Sequence, residues 1–172
     1  MWDFFETVRH RHSVRRYQSD MPVEDEKLHA VLETACAAPS AGDLQAYKIY
    51  AVHDGAKRRA LSEAANHQEF VEQAPVCLVF CADAEVSAKE FGQRGSLFAV
   101  QDATIAAAYS QLAIVAAGLV STWVGRFDEQ NVQRVLGISN DQPIVALISL
   151  GYPAEIPEET PRRSLDQIVV NI

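Results

Sequence analysis

Apolar side chains recur three or four positions apart near the start of the chain, which is the spacing of one face of a helix. Between residues 24 and 37 this spacing is met by Leu28, Val31, Leu32, Ala35 and Cys36. The pattern predicts a helix over this stretch that ends before Pro39. An earlier short helix is predicted to begin after Asp3, because Glu6 three residues later can complete a capping box.

Four stretches further along are rich in β-branched and aromatic residues and predict strands. They are AYKIYAV (46–52), VCLVFCA (76–82), LVSTWV (119–124) and PIVALISLGY (143–152). The second and fourth are apolar almost throughout, so we expect both of their faces to be covered. A fifth segment with strand character, LDQIVVNI (165–172), follows a proline-rich arm that we expect to be extended. A terminal strand on a long arm favours completion of a sheet on a second copy of the chain.

Between these strands the sequence predicts three more helices and one less regular stretch. Asp54 is expected to cap a basic helix that contains Lys57, Arg58 and Arg59. Asp102 is expected to cap a long apolar helix that runs to about Gly118, and Asp128 to begin a short helix. Residues 83–99 show the weakest pattern, so we expect them to be irregular and to form a lid. Helices and strands interleave, and no linker is visible. Residues 1–172 are therefore predicted to form a single domain of the α/β or α+β class.

Two features bear on where the protein resides. The stretch from Ala103 to Gly125 carries no charge and is long enough to cross a bilayer. Because it is rich in alanine and polar residues, we expect a buried helix and strand instead, and no membrane span. The three cysteines lack disulfide and metal spacing, which predicts free thiols in a reducing, cytoplasmic compartment.

The overall charge excludes one class of function and points to another. The 172 residues include 15 Lys+Arg against 23 Asp+Glu, which gives a formal net charge of −8. A chain this acidic is not expected to bind nucleic acid, since that requires a basic face. Yet residues 9–16 contain four arginines and two histidines. A local cluster of positive charge in an acidic protein favours a small bound anion.

No nucleotide-binding or hydrolytic motif accompanies this cluster. The sequence lacks GxGxxG after a strand, GxxxxGK[ST] and GxSxG. The histidines and cysteines lack the spacing of a metal site, so no metal is predicted. Three short clusters remain as candidates: the segment Arg11–Arg15, the loop Pro39–Gln45 and the pair Arg162 and Arg163.

Each candidate cluster has a chemical and a plainer interpretation. In an extended segment Arg11, Ser13 and Arg15 point to the same side and can meet one ligand. The loop PSAGDLQ brings backbone N–H groups and small side chains within close reach of a ligand. Paired arginines suit a phosphate. Alternatively, Arg11–Arg15 is the charged end of a helix, Pro39–Gln45 is a turn, and Arg162 and Arg163 are a solvent-exposed pair. No cluster taken singly decides between the chemical and the plainer interpretation.

Five motifs resemble, in the same order, those of the FMN-dependent nitroreductase family: RHSVRRY, APSAGDLQAY, QDATIAAAYSQLAIVAAGLVSTWVGRF, LGYP and PRRSLDQIV. The resemblance covers almost the whole chain. It implies an α+β fold with a central, mostly antiparallel sheet flanked by helices. It also implies an intertwined homodimer in which the C-terminal strand is exchanged and FMN is bound at the interface.

The resemblance carries over to individual residues, each by its place in a motif. It implies that Arg11 contacts the phosphate side of FMN, and that Arg15 contacts the pyrimidine edge and tunes the flavin. The cofactor-binding residues so implied are Arg11, His12, Ser13, Arg15, Pro39, Ser40, Ala41, Asp43, Gln45, Val124, Gly125, Arg126, Arg162 and Arg163. Asp43 stands where the family usually has Asn. Asn66 or His67 is expected to add a contact at the pyrimidine edge.

Three further roles follow from the same resemblance. Pro39, Ser40 and Ala41 match a loop that the other subunit lays against the cofactor. The backbone of residues 124–126 matches a segment that faces the flavin near N5. The pair Arg162 and Arg163 matches basic residues that close on the phosphate.

The activity implied by the resemblance is a ping-pong reaction. NADH or NADPH reduces FMN, and a nitroaromatic, a quinone or another electron-poor small molecule takes the electrons. No catalytic acid or base is implied, because the chemistry is that of the cofactor. Flavin fragmentation, reductive dehalogenation, azoline oxidation and flavin binding without turnover remain open as alternatives.

Overall fold

The computed structural model describes residues 3–156 and 160–172, which contain seven α-helices and four β-strands. The helices are α1 (Phe4–His10), α2 (Asp25–Cys36), α3 (Gly55–Ala64), α4 (Phe70–Gln73), α5 (Ala84–Phe91), α6 (Gly95–Ala116) and α7 (Glu129–Leu136). The strands are β1 (Tyr47–Val52), β2 (Val76–Ala82), β3 (Val120–Val124) and β4 (Ile144–Gly151). The predicted helix at 24–37 and the four predicted strands before residue 153 are thereby confirmed.

The strands form one antiparallel sheet in the order β1-β2-β4-β3. β2 is buried at every position, and its alternate residues pack into two different clusters. Leu78 and Phe80 share a cluster with residues of α2 and α6, whereas Cys77 and Val79 share one with residues of α3 and α7. This arrangement confirms the predicted α+β class, with a central sheet flanked by helices. It also explains why β2 is apolar throughout.

The helix α6 begins earlier than the sequence predicts. Asp102 is not its N-cap, because the helix starts at Gly95 and Asp102 lies buried two turns inside it. Gly95 permits this start, since a Cβ there would lie 2.5 Å from the Cα of Ala88 in α5. The prediction was wrong because close packing of two helices, and not a cap, sets where α6 begins. In the described part of the chain, no helix has the length and hydropathy needed to span a bilayer.

Residues 83–99 are helical, so the irregular structure predicted for them was wrong. α5 and the first turns of α6 form a hairpin around a 3-10 turn at Gly92–Arg94. Phe91 and Phe98 pack edge to face across this hairpin, with ring centroids 5.0 Å apart. Aromatic packing gives order to a stretch that has no clear helical periodicity of its own.

Carboxylate caps begin several of the helices. The predicted capping box of α1 is confirmed, because Glu6 N donates to Asp3 Oδ1 at 2.8 Å and Asp3 N donates to Glu6 Oε2 at 3.3 Å. The predicted start of a helix at Asp128 is confirmed as well, since Asp128 accepts from the N3 backbone N–H of α7 at 3.0 Å. Asp54 caps α3 in the same way, through Lys57 N at 2.8 Å.

The chain after β4 adds no fifth strand to the sheet among the described residues. Residues 165–172 form a 3-10 turn and then irregular backbone, with Ile168, Val169 and Val170 exposed. A strand requires a paired edge, and this segment pairs with none in its own subunit. Its exchange with a partner stays a prediction. Residues 157–159 of the predicted extended arm lie outside the described residues.

The basic segment, residues 11–18, is anchored to the sheet. Val14 is buried and its N–H donates to Ser121 O of β3 at 3.2 Å. Tyr17 is 5% exposed, and its hydroxyl lies 3.1 Å from Ser149 O and 2.9 Å from Ser149 Oγ of β4. These contacts fix the segment at one end of the sheet.

Tyr17→Phe is expected to lower the free energy of unfolding by about 1–2 kcal/mol at pH 8, because Ser149 loses a buried partner. Burial raises the pKa of Tyr17 from 10.0 to about 12. The unfolded chain therefore ionises first, and the contribution of the hydroxyl is lost as pH rises from 10 towards 12. Urea unfolding should show the wild-type advantage shrink by about 1 kcal/mol between pH 8 and pH 11. An advantage of equal size at both pH values would contradict this.

Candidate functional site

Five of the predicted site residues line one cavity of about 640 Å³. Its lining consists of Arg11, His12, Ser13, Arg15, Glu155, Ile156, Thr160 and Arg162. The basic segment supplies the first four, and the arm after β4 supplies the rest. We call this space the basic cavity. The structure thus joins two of the three candidate clusters that are far apart in sequence.

The backbone conformation of the basic segment explains how its polar side chains reach the basic cavity. Ser13 forms a β-bridge with Ser121, which keeps the backbone extended. Val14 and Tyr17 are buried in the core, whereas Arg15 and Arg16 between them are exposed. The structure brings Arg11, Ser13 and Arg15 to the lining of one cavity, and His12 lines it as well. That they meet one ligand there stays a prediction.

Four charged side chains set the electrostatics of the basic cavity. Among the described lining residues, Arg11, Arg15 and Arg162 are opposed by one carboxylate, that of Glu155. Partial burial and the neighbouring charge of Arg162 both lower the pKa of Arg11. An anion placed between these two arginines would relieve their repulsion and favour the charged form of each.

Glu155 is a residue of this site that the sequence gives no reason to single out. Its Oε1 accepts from Arg15 N at 2.8 Å, and its Oε2 lies 3.7 Å from Arg16 Nε. Ala154 N also donates to Arg16 O at 2.9 Å. The arm after β4 is thereby fastened to the basic segment. Glu155 is identified as a site residue only by its hydrogen bond to Arg15 N, because no local sequence motif includes it.

The two arginines of the predicted pair have different surroundings. Arg162 lines the basic cavity, and its Nη1 donates to Thr160 O at 3.2 Å. Arg163 is not part of that lining, and its Nη2 donates to Gln167 O at 2.6 Å. The structure therefore brings one of the two guanidinium groups to the cavity and uses the other to hold the C-terminal turn.

The predicted loop Pro39–Gln45 lies on a second cavity, of about 450 Å³. Its lining consists of Pro39, Ser40, Ala41, Phe98, Gln101, Asp102, Thr104 and Ile105. We call this space the loop cavity. Among the described residues, none lines both the loop cavity and the basic cavity.

The conformation of this loop is fixed by its own polar groups. Ser40 Oγ accepts from Gln45 N at 3.0 Å, and Gln45 Nε2 donates to Cys36 O at 2.6 Å. Asp43 and Gln45 both adopt left-handed backbone, with φ of 54° and 48°. Asn and Asp are the non-glycine residues that tolerate this region best, so the departure at Asp43 keeps the backbone suited to the turn.

The segment Val124–Arg126 begins at the last residue of β3. Val124 is buried, and the carbonyl of Arg126 accepts from Asn66 Nδ2 at 3.2 Å. Asn66 and His67 are both left-handed, with φ of 58° and 56°. The structure thus places Asn66, one of the two suggested residues, against this segment. Neither this segment nor Asn66 belongs to the lining of the basic cavity.

Comparison with known proteins agrees with this geometry. A sequence model of the Nitroreductase family matches residues 8–68 and 62–152. A protein named NADH dehydrogenase from Thermus thermophilus is 37% identical over 188 residues, covering 93% of this chain and 91% of that protein.

Two solved structures have the same fold. Nitroreductase A from Vibrio parahaemolyticus RIMD 2210633 has a TM-score of 0.90 and 30% identity, covering 99% of this chain and 76% of that one. The NADPH:FMN oxidoreductase from Vibrio harveyi complexed with NAD+ has a TM-score of 0.88 and 28% identity, covering 98% of this chain and 76% of that one. With the family match and these likenesses, the chain belongs to the Nitroreductase family.

Proposed function

We propose that the protein is an FMN-dependent oxidoreductase. It takes electrons from NADH or NADPH and passes them, by a ping-pong mechanism, to nitroaromatics, quinones or other electron-poor small molecules. Family membership supports this, and the Vibrio harveyi relative is named for NADPH and FMN. The observation that carries the proposal is the basic cavity lined by Arg11, Arg15 and Arg162 in an acidic chain.

The basic cavity fits the phosphate end of FMN in charge and in size. Arg11 and Arg162 supply two positive charges for a phosphate monoester, which carries roughly −1.5 to −2 at neutral pH. Its volume of about 640 Å³ is within the range of about 300–1,000 Å³ that is usual for small-ligand sites. Guanidinium forks and a serine hydroxyl are donors that suit phosphate oxygens.

Five residues of the basic cavity are given roles in this proposal. Arg11 and Arg162 hold the phosphate, and Ser13 donates a hydrogen bond to it. Arg15 places a positive charge at the pyrimidine edge, and Glu155 holds the Arg15 backbone in position. FMN, when bound, supplies the hydride and electron transfer, so no side chain is assigned as acid or base.

The proposed flavin site is completed by a second subunit. The loop cavity is separate from the basic cavity, and Pro39, Ser40 and Ala41 therefore meet the cofactor bound to the partner. Val124–Arg126 contribute their backbone from the first subunit. A groove lined by Phe4, Thr7, Thr34, Tyr109, Leu112, Ala113 and Ala116 offers an apolar face for such a homodimer.

Cysteine chemistry has no part in the proposed reaction. All three cysteines are free, and burial raises the pKa of Cys77 and of Cys81 to about 12. Thiolates are the reactive form, so these two side chains are inert at neutral pH. Free thiols support the expected reducing, cytoplasmic setting.

The first test is the visible spectrum of the purified protein. We expect a yellow protein whose flavin absorbance bleaches when NADH or NADPH is added without oxygen, and returns when a quinone or nitroaromatic is supplied. A colourless protein that takes up no added FMN would refute the proposal. A bound flavin that neither nicotinamide reduces would identify a flavin-binding protein without this turnover.

The two neighbouring arginines provide a matched pair of variants. Arg162→Ala should raise the dissociation constant for FMN by about 10- to 100-fold, because a charge-assisted contact to phosphate is lost. Arg163→Ala should change it by less than about threefold, because Arg163 donates to Gln167 O and does not line the basic cavity. Fluorescence titration of the apoprotein measures both values. Equal losses in the two variants would contradict the assignment of Arg162.

The dimer makes a further prediction. Tyr109→Asp should shift the protein from dimer to monomer, because a carboxylate would be buried in the apolar groove. Sedimentation at several concentrations measures the shift, and Ala56→Asp on the exposed first turn of α3 is the control. A wild-type protein that is monomeric at all concentrations would refute the dimer.

A further inference from the structure

Asp102 is a buried carboxylate with an incomplete set of hydrogen bonds. It lies inside α6 at 2% exposure, where its neighbours Ala99, Ala103 and Ala106 are fully buried. Its Oδ1 accepts from Ala41 N at 2.9 Å, while its Oδ2 is buried and has no hydrogen-bond partner. Among the described residues, no basic group is within ion-pair distance of it.

Stability of the fold does not account for this carboxylate. A buried polar oxygen without a partner opposes folding, and a charged one opposes it more strongly. Alanine has the highest helix propensity, and α6 already has alanine at the buried positions 99, 103, 106 and 107. An alanine at position 102 would keep the helix and would remove the unpaired oxygen. The reason for the carboxylate must therefore be the one hydrogen bond that it does make.

That hydrogen bond holds the loop that carries Pro39, Ser40 and Ala41. Ala41 begins a 3-10 turn, Ala41–Asp43, and its N–H would otherwise have no intrahelical acceptor. The other supports are the hydrogen bond from Gln45 N to Ser40 Oγ within the loop, the one from Gln45 Nε2 to Cys36 O of α2, and the packing of Phe91 close to Gly42. Asp102 is the support that comes from the long core helix.

We propose that Asp102 is a positioning residue, which fixes the shape of the Pro39–Ala41 loop through the Ala41 N–H so that the loop meets the flavin pre-organised. The inference rests on the proposed function for the part that concerns the flavin. Its structural part, the anchoring of the loop, stands independently. A rigid loop loses less conformational freedom when a ligand binds, so the anchor increases affinity without touching the ligand.

The anchor is tested by amide hydrogen exchange in residues 38–46 of the full-length protein. Asp102→Ala should raise the exchange rate of this segment by at least about tenfold, since the Ala41 N–H and its neighbours open more often. Asp102→Asn keeps an oxygen that can accept from Ala41 N, and should stay within about threefold of wild type. Asp54→Ala removes a matched carboxylate–N–H bond at the cap of α3 and should leave this segment unchanged. Unchanged exchange in Asp102→Ala would overturn the proposal.

The effect on the flavin is tested by titration of the same three apoproteins with FMN. Asp102→Ala should weaken binding by about tenfold, whereas Asp102→Asn and Asp54→Ala should bind within about threefold of wild type. If Asp102→Ala showed faster exchange but bound FMN as wild type does, the positioning role toward FMN would be overturned and the anchoring of the loop would stand. Equal weakening in Asp102→Asn would overturn it in favour of the charge. A wild-type protein that binds no FMN would refute the proposed function, and the exchange experiment would still decide the anchor.

Discussion

The pairing of the basic segment with the sheet is the contact on which the rest of the site depends. Val14 and Tyr17 are buried, and Val14 bonds to Ser121 while Tyr17 bonds to Ser149. These two buried side chains anchor the backbone on either side of Arg15 and Arg16, which are exposed. Positive charges that repel one another are thus held together by apolar burial nearby. The same hydrophobic core that stabilises the fold maintains the electrostatic potential of the cavity.

Local sequence patterns predict the helices and strands, whereas the exact start of a helix and the roles of some site residues depend on long-range contacts. The unbroken apolar run of β2 predicts a central strand, since a strand covered on both faces needs no polar positions. By contrast, the start of α6 depends on how closely Gly95 approaches Ala88, which lies on another helix. The role of Glu155 depends likewise on the backbone of Arg15, at the opposite end of the chain. Contacts of this kind have no local period, so no scan along the sequence finds them.

The resemblance supplied what periodicity does not, namely which clusters belong to one site. It groups the basic segment with Arg162 and Arg163, and the structure separates the two arginines. Arg162 lines the basic cavity, and Arg163 binds a carbonyl of its own turn. Adjacent side chains can have different partners, so a motif of two arginines need not supply two contacts from one subunit. The motif therefore sets the candidates, and the surroundings of each side chain select among them.

Division of the site between two cavities has a thermodynamic consequence. If the basic cavity of one subunit and the Pro39–Ala41 loop of the other hold the same flavin, the cofactor binds the dimer more tightly than the monomer. By linkage, FMN must then strengthen the dimer by the same factor as dimerisation strengthens FMN binding. A loop held rigid by Asp102 makes this coupling stronger, because less order has to be gained when the two subunits and the cofactor meet. The effect of dimerisation on FMN affinity and the effect of FMN on dimer affinity then measure the same coupling free energy.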